Sequence, residues 1–263
     1  MHKIYIPLSI ITLLLISSLN LFGQEEEKLS TDSEKKLRFI GIETGYILYG
    51  SEFIGDDFVR KQDQYSYPYD INNTNSINNW YLGAKAELRS KDNNFGFLAG
   101  LRYLSLNSSV GNRNSDDNND FFYFLFKEEQ ISVEYLRIQG INQTSSYIGI
   151  PLEVRYIIFN SKFARLFFKV ATEINYHIDT KSNVMFLNDE MEIYEIDVIN
   201  KFDSPNNFFS SLYFSAGIKL GKDDQINLNA EAIFLSTIIS NNNSVINKPI
   251  VGGGFQINIQ MPF

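Results

Sequence analysis

His177 and Asp179 are the first residues to weigh as chemistry. His177 is the only histidine beyond residue 2, and a two-residue spacing puts both side chains on one face of an extended strand. A His–Asp pair does general-base work only with a nucleophile or an oriented water beside it. The surrounding residue types fix neither. The expectation is therefore a solvated histidine near a strand end, and no residue is assigned as catalytic. Asn112-Arg113-Asn114-Ser115-Asp116-Asp117-Asn118-Asn119-Asp120 offers the oxygen ligands that calcium takes. It lacks the spacing and the glycine of a calcium loop and carries Arg113, so a solvated loop tip is expected, with no metal and no cofactor. GxGxxG, P-loop, HExxH and Gly-x-Ser-x-Gly patterns are absent.

A third set of residues is larger. Glu43, Lys85, Glu87, Arg89, Arg102, Glu153, Arg155, Arg165, Lys169, Glu173, Lys219 and Glu231 each stand within an apolar-alternating segment, on the parity opposite its apolar residues. A closed sheet carrying them would enclose seven basic and five acidic groups. A buried charge without a partner is very costly, so a paired, hydrogen-bonded plug is expected. The rival reading is a narrow ion path or small polar pocket.

Several segments could hold these residues in place. Period-two alternation recurs after residue 37, without a convincing helical period. It gives eight strands: 38–50, 80–89, 95–104, 147–159, 163–178, 208–220, 225–236 and 250–263. Most are longer than the usual soluble strand of about 5–6 residues and match the roughly 9–11 that a tilted membrane strand needs. Short turns at 90–94, 160–162 and 221–224 alternate with long polar loops at 51–79, 105–146, 179–207 and 237–249. That alternation is the habit of an outer-membrane barrel, and an even strand number puts both ends of the barrel on the short-turn, periplasmic side. On the apolar parity, Tyr46, Trp80, Tyr103, Tyr176 and Phe234 fall towards the long-loop rim. Phe95, Tyr156 and Phe263 fall towards the other, as two interfacial belts would. The first three long loops are net acidic. Phe121–Phe126 and Ile131–Ile138 could continue strands beyond the rim, and Met191–Ile199 alternates in a similar way.

Composition narrows the class. The chain has 263 residues, 23 Lys+Arg against 31 Asp+Glu, 44% hydrophobic residues and no cysteine. Disorder, a helical membrane bundle and disulfides are excluded, and the acidic balance argues against nucleic acid as a partner. Residues 1–24 read as a signal peptide: Lys3, the apolar run Ile10–Ile16, then polar residues and Gly23-Gln24. Residues 25–37 read as a short periplasmic tail and 38–263 as the barrel.

The chain resembles the eight-stranded outer-membrane barrels of Bacteroidetes grouped as PorT-like or "porin family" proteins. Tyr147-Ile148-Gly149-Ile150-Pro151-Leu152 is similar to their Tyr-x-x-Ile-Pro-Leu strand. Phe255, Ile257, Ile259, Met261 and the terminal Phe263 resemble the signal read by the barrel-assembly machinery. The resemblance implies an all-β, eight-stranded antiparallel up-and-down transmembrane barrel in the outer membrane, with loops outside. Some relatives assist secretion, and no uniform activity is implied. The function expected is a monomeric, non-enzymatic barrel in contact with outer-membrane lipid. It would meet an extracellular protein or ligand at loops 51–79, 105–146 and 179–207. The alternatives are a small-solute pore, a secretion-associated barrel, a rim-located enzyme and a soluble lipocalin-like barrel. The last would turn its charges outward to solvent.

Overall fold

The computed structural model describes residues 38–53, 75–90, 92–111, 121–128, 133–161, 163–202, 204–239 and 246–263. The leader, the tail and the oxygen-rich 112–120 stretch lie outside the described residues, as do 54–74 and 240–245. The strands are β1 (Arg38–Phe53), β2 (Ser76–Arg89), β3 (Phe95–Gly111), β4 (Phe122–Glu128), β5 (Val133–Asn160), β6 (Ala164–Phe186), β7 (Phe208–Leu220), β8 (Asn227–Ile239) and β9 (Asn247–Pro262). A 3-10 turn, Asp189–Tyr194, leads directly into a short helix, α1 (Glu195–Ile199).

All pairings are antiparallel. β1 pairs with β2 and with β9, and the sheet closes through the pairing of β3 with β5. Among the described residues the sheet therefore has nine strands, not eight, of which eight form the closed ring. The extra strand is β4, which pairs with Val133–Ile138 of β5 while β3 pairs with Gly140–Tyr156 of the same strand. β4 thus takes up the column where β3 stops. Phe122–Phe126 and Val133–Ile138 do extend the sheet, as their alternation suggests, while 131 and 132 lie outside the described residues. Met191–Ile199 does not, for it lies in the 3-10 turn and α1.

Neighbouring strands are joined by short connections on one rim. Asn93 takes the left-handed conformation there (φ 59°), which Asn tolerates better than most residues, and Gly221 has φ 119°. The start of β1 and the end of β9 meet on this rim, where Phe39 is paired with Pro262. On the other rim β5 and β6 run to 28 and 23 residues, well beyond a tilted membrane strand of about 9–11 residues.

Candidate functional site: a charged lumen beneath an apolar-cored cap

Strand alternation gives each strand one inward and one outward face, and the two faces differ completely. All twelve charged residues expected on one parity point inward and are buried, the most exposed being Arg165 at 7%. The outward face carries Ile42, Leu48, Leu82, Phe97, Ile150, Leu152, Val154, Phe168, Val170, Ile174 and Ile257, all exposed. The expected aromatic residues lie on that face too. Tyr103, Ile148, Tyr176 and Phe208 are joined in one register row, with Tyr176 and Phe208 rings 5.0 Å apart. Phe95, Tyr156 and Phe168 form another row nearer the short turns, where Phe95 and Tyr156 stack at 5.0 Å. Trp80 and Tyr46 are direct partners, and Tyr46 packs on Phe255. Phe234, Ile259, Met261 and Phe263 are also exposed.

The outward face changes character abruptly above the upper aromatic row. On β2 it passes from Trp80 to Asn78 and Ser76, and on β3 from Tyr103 to Ser105 and Asn107. On β5 it passes from Ile148 to Ser146, Thr144 and Asn142. On β6 it passes from Ile178 to Asp179, Lys181 and Asn183. These polar residues bond across strands: Asn107 Nδ2 donates to Asn78 Oδ1 at 3.1 Å, and Thr144 Oγ1 donates to Asn107 Oδ1 at 2.8 Å. Tyr103 and Ser146 hydroxyls lie 2.9 Å apart on the boundary itself.

The inward face reverses in the opposite sense. Above Arg102 come Leu104, Leu106 and Val110. Beyond them, Phe122, Phe124, Phe126, Leu136, Ile138, Ile141, Val184 and Phe186 make a dry core, with Val198 of α1 laid against it. Below the boundary the molecule is apolar outside and charged inside. Above it, β2, β3, β5 and β6 are polar outside, and the inner face is largely apolar.

Arg102 is the hub of the charged lumen. Its Nε reaches Glu43 at 2.5 Å, its Nη1 reaches Glu173 at 2.9 Å and its Nη2 reaches Glu153 at 2.7 Å. Its guanidinium also lies 4.4 Å from the Tyr81 ring centre. Gly83 makes room for it, since a Cβ there would sit 2.7 Å from Arg102 Cγ. Lys85 bridges Glu43 (2.7 Å) and Glu153 (3.0 Å), while Lys169 bridges Glu153 (3.1 Å) and Glu231. Tyr213 donates to Glu153 at 2.6 Å, and Tyr81 donates to Gln256 at 2.7 Å. Nearer the short turns, Arg155 pairs with Glu87 at 3.0 Å and Glu231 at 3.5 Å, and Arg89 pairs with Glu87 at 3.1 Å.

One ionic residue was not visible to strand parity. Asp223, in the turn between β7 and β8, reaches back into the lumen mouth. It accepts from Arg89 at 2.8 Å and from both terminal nitrogens of Arg165 at 2.5 Å, with Lys219 Nζ 3.7 Å away. Burial opposes its charge, but Arg89 and Arg165 together hold the carboxyl below the usual carboxylate range.

His177 stands on the inward face near the boundary, its Nε2 2.7 Å from Thr180 Oγ1 and its ring edge-on to Tyr147. The pairing considered with the Asp179 side chain does not form. An extra residue in β6 opposite Ser146–Tyr147 breaks the alternation after His177 and turns Thr180 inward instead.

No family model and no curated protein matches this chain. Among solved structures it is similar to Ail, the attachment invasion locus protein of Yersinia pestis, at 12% identity and TM-score 0.28, over 85% of this chain and 97% of that one. It is also similar to the transport unit of the autotransporter AIDA-I from Escherichia coli, at 9% identity and TM-score 0.31, over 94% and 97%. The translocator domain of NalP from Neisseria meningitidis stands at 9% and 0.29, over 97% of each chain. At such identities and scores, what the barrel does has to rest on its own residues.

Proposed function

We propose that this chain is an outer-membrane β-barrel, non-enzymatic and filled by its own side chains. Its task is to hold a rigid, acidic, apolar-cored cap outside the membrane for contact with an extracellular protein or ligand. The observation that carries this reading is the reversal of polarity at one level of the sheet. A sheet that faces water throughout has no use for a belt of exposed Ile, Leu, Val and Phe that gives way to polar residues close to one level on β2, β3, β5 and β6. A sheet that enters hydrocarbon at that level needs such a belt, because a charge facing lipid at mid-depth costs about 2–4 kcal/mol. The belt and the buried charges argue against a lipocalin-like soluble barrel. The resemblance to PorT-like proteins points to the same location.

The non-enzymatic reading is supported at His177, whose ring meets the Thr180 hydroxyl and a Tyr147 edge while the Asp179 side chain does not pair with it, so no nucleophile–base–carboxylate set assembles there. The filled-lumen reading is supported by the ion network, since an eight-strand closed ring is only wide enough for side chains. The test is fractionation of cells making the full chain, with gel mobility compared before and after boiling. Recovery in the outer membrane, with a shift on boiling, is expected. Recovery in the soluble fraction, or no shift, overturns the proposal.

A further inference from the structure

The lumen charges are unevenly distributed. Around Arg102, three cations (Lys85, Arg102, Lys169) face four carboxylates (Glu43, Glu153, Glu173, Glu231). At the short-turn end, four cations (Arg89, Arg155, Arg165, Lys219) share Glu87 and Asp223, with Arg155 only loosely on Glu231. That end carries surplus positive charge. It also has donors left over: Arg89 Nη2 and Lys219 Nζ are buried and have no hydrogen-bond acceptor among the described residues. Both belong to residues at most 3% exposed, and both crowd the Phe39 ring, the guanidinium at 4.5 Å and the ammonium at 3.8 Å from its centre.

Both residues reach Asp223, Lys219 with its spare Nζ and Arg89 with its other terminal nitrogen. Lys219 Nζ stands 3.7 Å from Asp223 Oδ1, the same oxygen that Arg89 Nη1 holds at 2.8 Å. A carboxylate has two oxygens, and Arg165 already grips both. A tetrahedral oxyanion has more acceptor directions and could meet the remaining donors as well. The carboxylate is also partly open to the outside, its side chain being 22% exposed against 0–9% for the cations around it. It sits on a short turn whose first residue is Gly221.

We infer that the short-turn mouth of the lumen is a binding site for a free tetrahedral oxyanion of the phosphate class, with Arg89, Arg165 and Lys219 as its ligands and Asp223 as a tethered occupant that competes for them. The donors lie inside the sheet wall, out of reach of a headgroup on the lipid face, which favours a free anion over a lipid phosphate. The inference stands on the donor geometry and does not depend on the membrane reading.

The test is calorimetric titration of inorganic phosphate into the refolded full chain, in a phosphate-free maltoside detergent at fixed ionic strength. Asp223→Asn removes the competing charge and keeps the side-chain shape. It is expected to tighten phosphate binding by about tenfold, the factor that one charge-assisted hydrogen bond is worth. Adding Lys219→Met to Asp223→Asn is expected to lose that gain. Where this double variant refolds poorly, as judged by its mobility before boiling, Asp223→Asn with Arg89→Gln takes its place. Equal binding by wild type and Asp223→Asn, or no saturable heat in either, overturns the inference. So does a gain that survives loss of the second cation.

Discussion

Arg102 shows why the lumen tolerates so much charge. Three carboxylates surround one guanidinium; Lys85 and Lys169 would still hold Glu43 and Glu153, but Glu173 has no other cation among the described residues and would be stranded if the hub were removed. Arg102→Met is expected to destabilise the barrel by about 3–5 kcal/mol, the usual penalty for breaking a buried pair from one side. Urea unfolding of the refolded protein in lipid vesicles measures this, and a loss under 1 kcal/mol would mean that water already reaches the network. Asp223 gives a pH dependence with a definite sign. Its carboxyl is held below the ordinary value of 3.8, so its contribution is present in full above that value and fades as pH falls through the depressed one. Wild type is expected to be more stable than Asp223→Asn at pH 7, and the two are expected to converge in strong acid. A gap that stayed constant down to pH 2 would contradict the assignment. The twelve strand charges were legible in the sequence, because alternation assigns a face to every strand residue. Asp223 was not, because a turn has no parity. Thr180 was missed for a related reason: the irregularity beside Ser146–Tyr147 shifts the phase, and alternation read straight through His177 gives the wrong neighbour.

The boundary row makes claims that single elements can test. Leu152 faces outward within the apolar belt, while Thr144 faces outward on the same strand above the boundary. Leu152→Arg is expected to cost about 2–4 kcal/mol of folding free energy in vesicles, and Thr144→Arg about 0–1 kcal/mol. Equal costs would place the boundary elsewhere. The cap has its own core, so it should loosen on its own. Phe124 is fully buried among Leu136, Ile138 and Val184, and its ring lies 5.9 Å from that of Phe202. Phe124→Ala is expected to cost the cap about 3–5 kcal/mol. The readout is faster proteolysis of 121–202 with unchanged mobility before boiling. The strands of the ring were legible from period-two alternation, and even the extension by Phe122–Phe126 and Val133–Ile138 announced itself. The turn and α1 did not, because Met191, Ile193 and Tyr194 also suit a strand over a short window. The residues that pack on the core are Met191, Tyr194, Val198, Ile199 and Phe202. Their spacing of three, four, one and three is a helical period, and a longer window carries that signal.

At the scale of the molecule, closure does for this chain what disulfides do for many exported proteins. There is no cysteine to staple the sheet, but a ring in which β1 pairs with β9 and β3 with β5 leaves no open edge at the level those strands share. The same closure decides whether anything can pass. Moving along the lumen from the cap, a solute meets first the packed layer of Ile47, Tyr49, Ile77, Leu104, Leu106, Tyr147 and Phe209, all buried. Below it lies the Arg102 hub with Tyr81 and Tyr213, then the Arg155–Glu87 level, and finally the Asp223 turn across the mouth. An ion path would have to part all of these, and the middle ones are held by contacts between opposite charges that a hydrated ion would have to break. The refolded wild type in a planar bilayer is therefore expected to give no steady conductance steps at low voltage. Asp223→Asn should also be silent, because it opens only the outermost level. Reproducible unitary steps from the wild type would show that the charged interior is a wet path and not a plug, and the proposed role would then have to be rebuilt around transport.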